Sequence, residues 1–151
     1  MIAAEAMSKA TSILENHLPE TGAKAGKGTV VIGTVAGDIH DIGKNIVSAM
    51  LKANGLKVYD LGKDVPSPTF IQRAEETHAD VIALSALLST TMVNQQDVIR
   101  TLQDLARRDR YKVIVGGAPV TEEWATQIGA DAYGKNANDG VPKIKHLLGM
   151  K

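Results

Sequence analysis

From Thr29 onward the chain alternates short β-branched runs with stretches of helical periodicity. The runs are "TVVIGTV" (29–35), "KVYDL" (57–61), "VIALS" (81–85) and "KVIVG" (112–116), with a weaker one, "DAYG", at 131–134. Short apolar strands separated by helices are the pattern of a parallel sheet covered on both faces. The alternation predicts an α/β, doubly wound five-stranded parallel sheet of Rossmann-like or flavodoxin-like type. In such sheets ligands bind outside the carboxyl ends of the strands, near the point where the winding reverses.

The intervening segments carry helix signals. After Gly43, residues Ile46, Val47, Met50 and Leu51 form an apolar face that Asn54 and Gly55 bring to a stop. A second helix starts around "SPTF", with Ser67 or Thr69 as cap, and buries Phe70, Ile71 and Ala74. A third is expected from about Met92 to Arg107, buried through Val98, Ile99, Leu102, Leu105 and Ala106. Thr121 to Ile128 opens with a hydroxyl followed by acids, and a last helix shows Val141, Ile144, Leu147 and Leu148.

Ahead of the sheet, residues 1–18 read as an amphipathic helix with Ala3, Met7, Ala10 and Leu14 on one stripe. Pro19 ends it, and "PETGAKAGKG" (19–28) has linker composition, which leaves 29–151 as the main domain. The sequence holds 151 residues with 17 basic and 17 acidic side chains, a balance that argues against nucleic acid as partner. "RRDRYK" (107–112), the densest basic patch, is expected to be a solvated helix end. With no cysteine, thiolate metal sites and thiol nucleophiles are excluded within the chain. No apolar run reaches the roughly 20 residues of a membrane span, and no signal peptide is visible, so a cytoplasmic protein without membrane partners is expected.

The winding rule gathers four loops on one edge: "AGDIHDIG", "GKDVPSP", "SALLSTTM" and "GGAPVT". His40 in the first could be a metal ligand, a general base or a structural loop histidine. Asp38, two residues earlier, can reach one ring nitrogen and so make the other a better donor. Asp41 reads as an N-terminal cap or first-turn acid of the following helix. Familiar alternatives fail on spacing. The Gly–Gly interval and the Asn after Lys44 exclude a phosphate-binding P-loop, and Ser85 stands where a phosphate-receiving signalling domain needs an aspartate. His17, His78 and His146 fall in expected helices away from this edge, so a zinc site lacks ligands. One histidine suffices only for a metal already held by a macrocycle.

At these residues the chain resembles a known family. "DIHDIG" (Asp38-x-His40-x-x-Gly43), Ser85-Ala86-Leu87 and Gly116-Gly117 are similar to the signature of cobalamin-binding domains. The similarity is nearest to the corrinoid proteins of methyltransferase systems and to the matching domain of cobalamin-dependent methionine synthase. It implies a base-off arrangement in which His40 is the lower axial ligand of cobalt and Asp38 accepts a hydrogen bond from its other nitrogen. Thr91 falls where the family places a hydroxyl that completes the triad. Asp41, Ile42, Gly43, Leu87 and Thr90 would line the cofactor, Ser85 would meet the displaced nucleotide tail, and Gly43, Gly116 and Gly117 would border its slot.

The resemblance also implies a function. Ligation by His40 would favour the methylated state, methylcobalamin, and proton uptake by the Asp38–His40 pair would favour release on demethylation. The chain would then be a methyl carrier between a methyl-donor and a methyl-acceptor methyltransferase, not a complete catalyst, served in addition by a reductive activase. The leading helix would be the remnant of a helical cap, and its exposed stripe would promote a homo-oligomer. The competing reading is the small cobalamin-binding subunit of an adenosylcobalamin-dependent mutase, against which the leading helix and "HDIGKNIV" argue. A cobalamin-based sensor would need a DNA-binding segment, and none is visible.

Overall fold

The structure, a computed structural model, describes residues 28–149. Five strands, β1 (Thr29–Thr34), β2 (Lys57–Asp60), β3 (Val81–Ser85), β4 (Lys112–Gly116) and β5 (Ala132–Gly134), form one sheet in the order β2-β1-β3-β4-β5. Every pairing in it is parallel. The expected doubly wound α/β architecture is therefore the one observed. Its helices are α1 (Ile42–Ala53), α2 (Ser67–Thr77), α3 (Ser89–Asp104), α4 (Glu122–Ile128) and α5 (Ala137–Leu147). The expected helix over 1–18, and all but the last residue of the expected linker, lie outside the described residues.

Strand side chains alternate between two cores, as the two-residue period of a strand requires. Val31, Ile82, Leu84, Val113 and Val115 face α2, α3 and α4, meeting Phe70, Ile71, Val98, Ile99, Leu102 and Ile128. Val30, Ile32, Val81, Ala83 and Ile114 face α1 and α5, meeting Leu51, Val141 and Ile144. The winding reverses between β1 and β3, so the loops leaving those two strands lie side by side. Among the described residues no helix is long and apolar enough to cross a membrane.

Four local expectations need correction. The third helix runs Ser89–Asp104 rather than 92–107: Ala106 has a positive φ of 56° and ends the region, so Leu105 and Ala106 are exposed. Neither Ser67 nor Thr69 caps α2. Pro66 is the cap residue, and the Ser67 hydroxyl instead donates to Asp97 at 2.6 Å. On α1, Ile46, Val47 and Met50 are only half-buried, while Lys44, Ser48, Ala49 and Leu51 form the buried stripe. Finally, "RRDRYK" is solvated only in part: Asp109, Arg110 and Lys112 are exposed, but the other residues are tied down. Arg107 pairs with Glu75 at 2.6 Å, and Arg108 donates to Tyr111 O, Gly129 O and Asp131.

Candidate functional site

Asp38 and His40 lie on the connection from β1 to α1, and Leu87, Leu88 and Thr91 on the connection from β3 into α3. Asp38 joins the two across the reversal point. It has no solvent exposure, and both of its carboxylate oxygens are saturated. Oδ1 accepts from the His40 backbone N–H at 3.0 Å and from His40 Nδ1 at 2.8 Å. Oδ2 accepts from Leu87 N–H at 2.7 Å, Leu88 N–H at 3.3 Å and the Thr91 hydroxyl at 2.7 Å. Leu88 O also lies 3.0 Å from that hydroxyl. Its single proton goes to the charged acceptor, where the bond is stronger.

Burial by itself would raise the Asp38 pKa. The bonds from Thr91, from the His40 and Leu87 amides and from the imidazole outweigh it and hold the carboxyl well below the ordinary range. A carboxylate that stays ionised can only accept, so the proton between it and a neutral His40 ring sits on Nδ1. Nε2 then presents its lone pair. The His40 side chain is 45% exposed, and Nε2 makes no hydrogen bond among the described residues. Thr34, buried at the end of β1, donates its hydroxyl to His40 O at 2.9 Å and fixes the backbone beneath the ring.

Around this imidazole the surface is apolar. Ile39, Ile42, Leu87 and Leu88 are all exposed, Ile39 at 66%. Large exposed apolar side chains grouped around one polar donor mark a binding face. Among the described residues no three His, Cys, Asp or Glu side chains gather to hold a bare metal ion. One imidazole on an apolar face therefore fits a metal that arrives inside a flat, largely apolar macrocycle, and the donor set agrees with the corrinoid expected above.

The other expected residues occupy the same edge with different reasons for being there. Asp41 is the cap residue of α1, but its side chain makes no capping bond; its carbonyl accepts from Asn45 N–H at 2.8 Å. Thr90 is exposed in the first turn of α3, and Ser85 ends β3 half-buried. A Cβ on Gly43 would meet nothing within 4 Å, so open space lies beside the backbone there. Gly116 and Gly117 are required by the protein itself. A Cβ on Gly116 would stand 3.0 Å from Gly134 O, and one on Gly117, at φ +126°, would overlap Ala86 O.

Besides Thr34 and Leu88, sequence reasoning missed two buried polar supports on the helices. Lys44, almost fully buried on α1, donates to both oxygens of Asp60 at 2.7 and 2.9 Å. Its signal was a lysine on the same helical stripe as Ser48 and Leu51. Gln95, fully buried on α3, donates to Leu84 O and Gly116 O and accepts from Trp124 Nε1, tying the ends of β3 and β4 to α3 and α4. No spacing rule distinguishes it from a solvated glutamine.

Residues 28–141 match the family model described as B12 binding domain. The chain is 50% identical over 148 residues to dimethylamine corrinoid protein 3 of Methanosarcina mazei, an alignment covering 98% of this chain and 89% of that protein. Its structure is similar to that of the Methanosarcina barkeri monomethylamine corrinoid protein, with a TM-score of 0.84 and 36% identity over 97% of this chain and 69% of that one. It is also similar to a chain of the methanol:cobalamin methyltransferase complex from Methanosarcina barkeri, with a TM-score of 0.77 and 32% identity. There the match covers 85% of this chain and about half, 51%, of the other.

Proposed function

The chain belongs to the B12-binding domain family, and from that premise we propose that it is a corrinoid methyl carrier working between two methyltransferases, with His40 as the lower axial ligand. One observation carries the reading: a half-exposed imidazole whose Nδ1 is locked to a saturated carboxylate, leaving the Nε2 lone pair without a hydrogen bond among the described residues and beside exposed apolar side chains. When bound, a corrinoid would supply the chemistry, a cobalt able to carry a methyl group, and the protein would hold it through His40.

The chain's own residues do the rest. Asp38 fixes the tautomer and orientation of His40, and raises the basicity of Nε2 by withdrawing the Nδ1 proton toward itself. Thr91, Leu87 and Leu88 keep Asp38 ionised and so keep it an acceptor for the His40 Nδ1–H. Ile39, Ile42, Leu87 and Leu88, exposed here, would lie against the macrocycle and exclude water from around His40. The displaced nucleotide tail would enter a slot lined by Gly43, Gly116 and Gly117 and meet Ser85, and the open space beside Gly43 supports this. Activation of the methyl donor and of the methyl acceptor belongs, in this reading, to the partner methyltransferases. A reductive activase, a homo-oligomer and a cytoplasmic setting belong to the same reading.

Electron paramagnetic resonance of the reduced, Co(II) form made with nitrogen-15 histidine tests it. The axial nitrogen splitting is expected to change with the isotope and to vanish in His40→Ala. Protein that takes up no cobalamin, or a splitting indifferent to that replacement, overturns the reading. Preferential turnover with adenosylcobalamin in a rearrangement assay would instead favour a mutase subunit.

A further inference from the structure

The segment bearing His40 is braced from the side by the connection that follows β2. At one end, Asp64 Oδ1 accepts from Gly37 N–H at 2.8 Å, and the Asp64 N–H donates to Asp38 O at 2.9 Å. At the other end, Asp60 receives the buried Lys44 ammonium through both carboxylate oxygens. Gly37 lies three residues before His40 and Lys44 four after, so the acid that ends β2 and the acid on the connection after it grip the histidine's segment on either side. Neither acid makes a hydrogen bond or ion pair with His40 among the described residues.

Two features set this brace apart from ordinary loop packing. Asp64 adopts a positive φ of 53°, a conformation that costs a side-chain-bearing residue free energy and persists where surrounding bonds hold it. Lys44 is 2% exposed, and an ammonium taken out of water is an expensive way to seat a helix on a strand. An apolar pair would pack α1 on β2 as well. What the ion pair adds is direction, because two oxygens and Asn45 Oδ1, at 2.8 Å, fix where the first turn of α1 stands relative to the end of β2.

We propose that Asp60 and Asp64 are positioning residues that set how fully the His40 imidazole engages cobalt, acting through the two ends of its segment. The proposal rests on the reading of His40 as axial ligand. With the brace intact, the Nε2 position is set before the cofactor arrives and ordering costs little on ligation. With either end loosened, the imidazole samples more positions and the ligated fraction falls.

The test uses the whole protein reconstituted with cobalamin and reduced to Co(II), at a pH where both His-on and His-off spectra are present. Asp64→Ala is expected to lower the on/off ratio about fivefold, the scale of one lost hydrogen bond, and Lys44→Met about tenfold. Asp64→Asn keeps an acceptor for Gly37 N–H and is expected to stay within about twofold of the original. Asp64 is exposed, and the unfolding midpoints of its variants read any strain at its positive φ separately from the on/off ratio, whatever becomes of Lys44→Met. Wild-type ratios in Asp64→Ala and in folded Lys44→Met overturn the proposal, as does an Asn variant as impaired as Ala. Persistence of the axial nitrogen signal in His40→Ala would instead sink the ligand assignment, a separate outcome.

Discussion

At the amino-terminal edge of the sheet, charged side chains face water and tie strand starts to their neighbours. Asp80 accepts from Thr29 N–H at 3.0 Å, and Asp131 accepts from Val113 N–H at 2.7 Å and from Arg108 at 2.9 Å. At the carboxyl edge the order is reversed. Asp38 and Lys44 are buried, while Ile39, Ile42, Leu87, Leu88 and Val93 stand exposed on the loops or the first two turns of the helices that leave them. Leu105 is the one large apolar side chain exposed elsewhere among the described residues. An edge that only closes a fold puts charge outside, because solvation is lost on burial. At the reversal point, where β1 and β3 end, charge is buried and large apolar side chains are exposed, an arrangement suited to something that covers it.

Substitutions that act on one edge and not the other sharpen this contrast. The largest effect is expected from Gly117→Ala, where the new Cβ would overlap the Ala86 carbonyl at a φ that disfavours side chains. A loss of about 4 kcal/mol or more in urea unfolding is expected, with cobalamin uptake lost as well. Next comes Asp38→Asn, which removes a charge from a carboxylate holding five donors. About 2–3 kcal/mol is expected, measured as a shift in the unfolding midpoint without change in its slope. Because folding lowers the Asp38 pKa, the stability it adds is present above the ordinary value of 3.8 and is lost as pH falls below it. The gap between the original and the Asn variant is therefore expected to be full at pH 6 and to narrow below about pH 4.

At the opposite edge, Arg108→Ala breaks bonds to Tyr111 O, Gly129 O and Asp131. It is expected to cost about 1–2 kcal/mol while leaving the axial nitrogen splitting untouched. A changed splitting would mean that the two edges are not independent. The smallest effect on stability is expected from Leu88→Ser, within about 0.5 kcal/mol for the cofactor-free protein, since the side chain is already exposed. Cobalamin affinity in the same variant is expected to fall about tenfold, read by equilibrium titration. A variant that loses stability instead would mark Leu88 as ordinary packing.

Periodicity was enough for the strands, since four β-branched runs and one weaker run became the five strands to within a residue or so. Helix edges were less legible. Leu105 and Ala106 continue an apolar pattern that the left-handed turn at Ala106 cuts short, and no residue in "LARR" announces the turn as a glycine would. The Asp38–His40 contact followed from their separation of two residues. Thr91 reached the site only through the family resemblance, and its bond to Asp38 spans 53 positions along the chain.

The order of strands and helices, the two cores and the loop that carries His40 were determined by the sequence itself, because hydrophobic period and local turn chemistry act between near neighbours. Tertiary structure alone decided which polar side chains go inside. Lys44 with Asp60, Gln95 with Trp124, and Gly117 against Ala86 are separated by 16 to 31 residues, and each is explained only by a partner that the crossovers bring alongside. A buried polar group is stable only where that partner stands, and sequence neighbours do not specify its place.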